Sequence, residues 1–358
     1  MIADVIPIAA PVLGEEEGQA LLEVLDSGWV MAGPRVQRFE ELVAERLGVA
    51  HAVAVSSGTA ALEVGLAAAG LSAGDVVVVP SFTFVACANA VVRWGGTVRF
   101  VDVDPRTFNI DVDDLERKLP GAAAVLPVHQ FGRPADLRRI QQLCEAEGAW
   151  VIEDAACALG TPGIGRIGRV STLSFHPRKV ITTGEGGMVV TADREVAERA
   201  RDLRNHGAPA GHTAPGCNYR LSDLHAALGV VQMGRLDGLL ADRRGQAERY
   251  AQLFDEAGIS WFLPPPDGEH AWQSYVGLVS EDGPSRDDVL AQLADRGVSA
   301  RIGATACHVL PWCAEASGLS PEDLPGAWAA HRRSLALPLF PGLSPEDQSR
   351  VVQAMRAL

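Results

Sequence analysis

Lysine is almost missing from this chain. Of 358 residues, 31 are basic, and only Lys118 and Lys179 among them are lysine; the other cations are arginine. Positive charge is short overall, because 45 acidic residues leave a formal net charge of -14 at pH 7. With no basic run interleaved with aromatics, that balance argues against a nucleic-acid surface. No run is long and apolar enough to span a membrane. The opening "MIADVIPIAAPVLGEEEG" has no basic n-region and reads as no signal peptide. Cysteine is sparse as well: Cys87, Cys144, Cys157, Cys217, Cys307 and Cys313 form no CxxC pair. That excludes a dense disulfide scaffold and leaves reduced thiols in a cytoplasmic protein as the expectation. Cys307-His308 with Cys313 matches no zinc spacing, so no metal is expected.

What is present is an ordinary globular composition, 47% hydrophobic and 21% charged, able to bury a large core. The length suits a large domain followed by a smaller one. Apolar runs alternate with helical stretches through the first two-thirds: "HAVAVSS", then "GTAALEVGLAAAG", "DVVVVPSFTF", "TVRFVDV", "DVDDLERKL", "AAAVLPV", "PADLRRIQQLCEAEG" and "AWVIEDAA". This order predicts a mostly parallel sheet with helices on both faces. From Leu221 the pattern becomes long and helical, with Ser222 and Asp223 as candidate N-caps. Beyond the Pro-rich "FLPPPDGEHAW" the chain reads as a smaller α+β unit. The expected division is residues 1–245, a large α/β domain with an N-terminal arm, and residues 246–358, a small C-terminal domain.

Ligands in such sheets bind beyond the carboxyl ends of the strands, so the residues just after each run matter most. Ser56, Ser57, Gly58 and Thr59 lie between a strand and a helix N-terminus, where backbone N–H groups can cradle a phosphate. Small residues also make ordinary turns there. "AWVIEDAA" ends in Glu153-Asp154, a carboxylate position that could bind a metal, a ribose or a protonated ring nitrogen, or simply cap a turn. The third feature is "SFHPRKVITTGEGG", residues 174–187, which holds Lys179 in a polar loop. Arginine cannot offer a lone pair, whereas lysine can become a nucleophile or Schiff-base amine. Lys118, by contrast, sits in a charged helical stretch and reads as solvated. Phosphate loop, strand-end acid and lone lysine, in that order, fit a pyridoxal phosphate (PLP) enzyme of the aspartate-aminotransferase fold (fold type I).

Over almost its whole length the chain resembles the DegT/DnrJ/EryC1/StrS family of sugar and cyclitol aminotransferases. The resemblance is carried by "GWVMAGPRVQRFE", "SSGTAALEVGL", "VVVPSFTFVACANA", "FVDVDPRTFNID", "PVHQFGRPADL", "VIEDAACALG", "SFHPRKVITTGEGGMVVT", "LRNHG", "NYRLSDLHAALG" and "LALPLFPGLSPEDQ". By that resemblance Lys179 forms the Schiff base with PLP and Asp154 pairs with the pyridine nitrogen. Ser57, Gly58 and Thr59 form the phosphate loop, with Ser174 as a further phosphate ligand, and Phe84 stacks on the cofactor ring. Asn218 reaches the phosphate of a neighbouring subunit, which implies a homodimer with shared active sites. The family usually has Gln or His after Asp-Ala-Ala, near the cofactor's ring hydroxyl; Cys157 stands there instead.

The activity so implied is amino transfer from an amino acid, L-glutamate by preference, to a ketone of a nucleotide-linked deoxysugar or a cyclitol, with the cofactor alternating between PLP and PMP. The setting would be secondary-metabolite, antibiotic or polysaccharide biosynthesis. The partners are then a small keto substrate, the amino donor and a second subunit, with no nucleic-acid polymer and no membrane. Substrate choice would fall to the "GWVMAGP" loop, the region around His308 and the partner subunit. Alternatives are another PLP activity, such as a racemase, lyase or dehydratase, and a non-catalytic regulator. The family's PMP-dependent dehydratases resemble this chain except for a histidine at the lysine position, so Lys179 argues against that branch.

Overall fold

The computed structural model describes residues 5–208, 211–212, 215–266 and 268–358. In chain order the first strands are β1 (His51–Val55), β2 (Val76–Pro80), the short β3 (Phe82–Thr83), β4 (Thr97–Val101), β5 (Ala124–Val125), β6 (Trp150–Asp154), β7 (Val170–Ser174) and β8 (Gly187–Thr191). All but β3 join one seven-stranded sheet, ordered β1-β8-β7-β6-β5-β2-β4. Its neighbours are parallel except for the two pairings made by β8, with β1 and with β7.

Helices α1 (Glu15–Ser27), α2 (Pro34–Leu47), α3 (Gly58–Ala69), α4 (Ala86–Arg93), α5 (Val112–Lys118), α6 (Leu137–Glu147), α7 (Arg194–Leu203) and α8 (Asp223–Ala257) accompany the sheet. Strand alternation assigns side chains to its two faces. Ala52, Ala54, Leu173, Met188 and Val190 pack with Phe39 and Val43 of α2. Their neighbours Val53, Val55, Ile152, Val170 and Val189 face the opposite way, onto α3, α4 and α7. Both faces being covered explains why these strands read as continuous apolar runs. Helix α3 is rich in Ala and Gly because it lies close on β7. A Cβ on Gly65 would stand 3.0 Å from Val170 Cγ1 and 3.2 Å from Thr172 Cγ2.

Ser222 caps α8, its Oγ accepting from His225 N at 3.4 Å. Asp223 does something different. Its carboxylate accepts from Gly33 N, Arg35 N and Val36 N at 2.8, 3.1 and 3.0 Å, so it caps α2, whose own N-cap residue is a glycine. The "GWVMAGP" loop is thereby fastened to α8. That helix runs 35 residues, so the expected division at 245 falls inside it. Its far end supplies Tyr250 and Phe254 to a second core.

That core belongs to an antiparallel sheet built from β9 (Phe262–Leu263), β10 (Tyr275–Val279), β11 (Arg301–Ile302) and, after β12 (Thr305–Ala306), β13 (Ser334–Leu337). Tyr275, Val279, Leu335 and Leu337 pack there against α9 (Arg286–Asp295) and, beyond α10 (Pro311–Ser317) and α11 (Pro325–Arg333), against α12 (Pro345–Arg356). Val276, Leu278 and Ala336 point the other way and join the core of the large sheet. Strand β12 instead pairs with β3, setting Thr305 opposite Thr83.

Candidate active site

The parallel strands end at one edge of the large sheet, and β8, running backwards, begins there. Gly187 is the register partner of both Val55 and Ser174, which puts three strand ends side by side. From β1 the chain enters α3 through Ser57, whose Oγ accepts from Ala60 N at 3.1 Å. A Cβ on Gly58 would lie 2.8 Å from Ser174 Cβ, and one on Gly187 2.2 Å from Ser57 O. Two glycines are therefore what lets these segments close. Ser57, Gly58, Thr59 and Ser174, none of them fully buried, gather at the positive end of α3, which is suited to an anionic group.

Glu153 and Asp154, adjacent at the end of β6, are divided by the strand's alternation. Glu153 is fully buried and faces the loop after the strand. It accepts from Gly165 N at 2.9 Å and Gly168 N at 2.6 Å, with His129 Nε2 at 3.4 Å. His129 Nδ1 accepts from Ala135 N at 3.0 Å, which assigns the ring proton to Nε2, donating to Glu153. Burial pushes the Glu153 carboxyl up, but His129 and the two glycine N–H groups outweigh it and hold the group below its ordinary value.

Asp154 is also buried. Its Oδ1 accepts from Ala156 N at 2.9 Å, and its Oδ2 accepts from the Cys87 thiol at 3.1 Å. Burial, and after it the charge of Asp154, raises the Cys87 pKa well above the usual thiol value. Cys87 therefore remains a donor at neutral pH.

Lys179 is half-buried in the turn after β7, and its Nζ donates to Cys157 Sγ at 3.1 Å. Cys157 follows Asp154 by three residues along the chain, in the turn that leaves β6. Lys118 ends α5 and donates to Asp114 Oδ2 at 2.9 Å. Phe84, just past β3, is 72% exposed, an open aromatic face. Asn218 is exposed too. Its neighbour Tyr219 accepts from Ser56 N at 2.8 Å and donates its hydroxyl to Glu63 at 2.8 Å.

His308 marks one of the regions expected to govern substrate choice, and its own side chain is part of the core. It is fully buried, its Nδ1 2.6 Å from Ser81 Oγ and its backbone N 3.2 Å from the same oxygen. The ring anchors the β12 side of the fold to the segment that carries Phe84. Sequence reasoning missed Cys87, which gives no local signal: it is one small residue in the buried helix "ACANAVVR".

These groups fit PLP. The α3 N-terminus with Ser174 suits its phosphate, the Asp154 carboxylate its ring nitrogen, the Lys179 amine its aldehyde and Phe84 its ring face. An amine, an acid and an anion cradle at one edge of such a sheet are the mark of the fold-type-I PLP enzymes. The chain belongs to the DegT/DnrJ/EryC1/StrS aminotransferase family, whose model matches residues 11–356. It is 36% identical to the spore coat polysaccharide biosynthesis protein SpsC of Bacillus subtilis, over 98% of this chain and 96% of that one. Among solved structures it is similar to the aminotransferase TlmJ from Streptoalloteichus hindustanus (36% identity, 98% of each chain, TM-score 0.91). It also resembles the PLP-form of Spr1654 from Streptococcus pneumoniae (26% identity, 99% and 98% of the chains, TM-score 0.91), a protein also solved in a PMP-form. The protein is an aminotransferase with PLP as its cofactor. Among the described residues no helix is long and apolar enough to cross a membrane.

Proposed function

We propose that this enzyme moves an amino group from an amino acid, L-glutamate by preference, to the keto carbon of a nucleotide-linked deoxysugar or a cyclitol, in polysaccharide or secondary-metabolite biosynthesis. The observation that carries the reading is the Lys179 amine, half-buried beside Cys157 and next along the sheet edge from a buried Asp154. The resemblance to SpsC, a spore coat polysaccharide biosynthesis protein, supports the sugar as acceptor.

When bound, PLP supplies the carbonyl that receives the amine and the electron sink for the substrate's α-carbon. The chain supplies the rest. Lys179 Nζ takes and returns the proton in each half-reaction. Asp154, held in place by Cys87 and Ala156 N, would keep a proton on the ring nitrogen. Ser57, Gly58, Thr59 and Ser174 would hold the phosphate and Phe84 would cover the ring, while Cys157 adjoins the amine.

The proposal includes a homodimer in which Asn218 of each subunit completes the other's phosphate site; the exposure of Asn218 beside Ser56 and Tyr219 supports it. It also includes a large domain over residues 1–245, a small one over 246–358, and a cytoplasmic setting, which six free cysteines suit. The test is chemical. The purified protein is expected to be yellow, and borohydride should fix the cofactor to the peptide that contains Lys179. Fixation at Lys118 would overturn the assignment.

A further inference from the structure

Arg243 is 3% exposed, yet its guanidinium meets backbone oxygen where a carboxylate would be the usual partner. Nη1 is shared among Trp272 O, Gln273 O and Leu339 O at 3.2, 3.2 and 3.3 Å, and Nη2 donates to Lys179 O at 3.4 Å. Burial lowers its pKa to about 10, against the opposing pull of Asp242. A charge placed this deep costs stability unless its hydrogen bonds are made, and here one end of the guanidinium is spent on the carbonyl of the lysine itself.

Gln273 is 7% exposed and acts on the preceding peptide, its Nε2 donating to Arg178 O at 2.7 Å. It is itself fixed, its N donating to Phe131 O at 3.1 Å and its Oε1 accepting from Ser274 Oγ at 3.1 Å. Within the turn, Lys179 N donates to His176 O at 2.8 Å. Two successive carbonyls of the lysine turn are thus held from outside it, one from α8 and one from the segment leading into β10. Backbone carbonyls at a surface turn could have been left to water; these are held by two buried side chains.

We propose that Arg243 and Gln273 are positioning residues for Lys179: by clamping the carbonyls of Arg178 and Lys179 to α8 and to the approach to β10, they set the reach of the Lys179 amine and keep it against Cys157. The inference rests on Lys179 being the reactive amine of the proposed function.

The scarcity of lysine makes the test direct. Full-length protein freed of PLP is treated with trace acetic anhydride, and acetylation of Lys179 is measured by peptide mass against Lys118, which sits on α5 bonded to Asp114 and to neither Arg243 nor Gln273. In Gln273→Leu and in Arg243→Gln, release of a carbonyl frees the turn and exposes the amine. The Lys179-to-Lys118 ratio is expected to rise about threefold or more, the scale of one lost hydrogen bond. A destabilised but correctly set turn would lower the melting temperature and leave the ratio alone. If Arg243→Gln fails to fold, Gln273→Leu decides by itself. An unchanged ratio in the folded variants overturns the proposal. Colour formation on adding PLP to the unaltered protein is read separately, so failure of the cofactor assignment and failure of the clamp are distinguishable.

Discussion

Cys87 Sγ lies 3.1 Å from Asp154 Oδ2, so a thiol on α4 orients the carboxylate at the end of β6. Burial keeps that thiol protonated, and Asp154 keeps its other oxygen on Ala156 N. Cys87→Ala removes the donor and is expected to slow both half-reactions by the equivalent of about 0.5–1.5 kcal/mol, one neutral hydrogen bond. Cys87→Ser should restore them. Asp154→Asn is the harsher change: the amide cannot stabilise a charged ring nitrogen, so most turnover should vanish while some cofactor remains bound. Stopped-flow absorbance of each half-reaction checks all three. Parent-like rates in Cys87→Ala would show that the thiol does not act on Asp154.

Cys157 accepts from Lys179 Nζ at 3.1 Å. Serine keeps an acceptor there, and Cys157→Ser should leave both half-reactions within about threefold of the parent. The longer side chain of Cys157→Gln is expected to weaken binding of the keto substrate and spare the half-reaction with the amino donor. Loss of both half-reactions in the serine variant, with cofactor still bound, would mean that the sulfur has a chemical role of its own.

Glu153 serves stability. Its folded-state carboxyl lies below the ordinary 4.5, so its contribution is complete above that pH and is lost as pH falls through the lowered folded value. Glu153→Gln should cost about 1.5–3 kcal/mol at pH 7, the range for hydrogen bonds to a charged group. The gap between parent and variant should narrow below pH 4.5. Urea melts at a series of pH values measure this, and a gap that widened in acid would contradict it.

The proposed shared site predicts complementation. Inactive Lys179→Ala and Asn218→Ala homodimers, mixed under subunit exchange, should yield heterodimers in which one site carries neither lesion. Activity should return toward about a quarter of the parent value if exchange is random and each intact site works alone. Heterodimers confirmed by native mass but inactive would refute sharing across the interface.

The sheet was legible because its strands are covered on both faces and so read as unbroken apolar runs. The reversal of β8 was not legible. "MVVT" has the same character as its parallel neighbours, and direction is settled only by how the chain returns to the sheet. Asp154 and Glu153 look alike in sequence; the two-residue period of a strand separates the acid facing the site from the one that ties down a loop. Lys179 stood out by rarity. Cys87, Arg243 and Gln273 had no such mark, because each acts on a residue more than sixty positions away along the chain, and only packing brings them together. The partner of His308 was equally illegible, since Ser81 lies 227 positions away along the chain.

Ser174 and Gly187 are register partners on β7 and β8, and Gly187 is also paired with Val55 on β1. Lys179 is therefore carried on a closed tether, residues 175–186, whose two ends are nailed to adjacent points of the sheet. Sliding β8 by one residue to take up slack would exchange Met188 and Val189 between opposite faces and unpack both cores. The tether's length is in effect frozen. Evolution can retune the amine by exchanging side chains along those residues or behind them, whereas an insertion or deletion there changes the tether itself and with it the reach of Lys179.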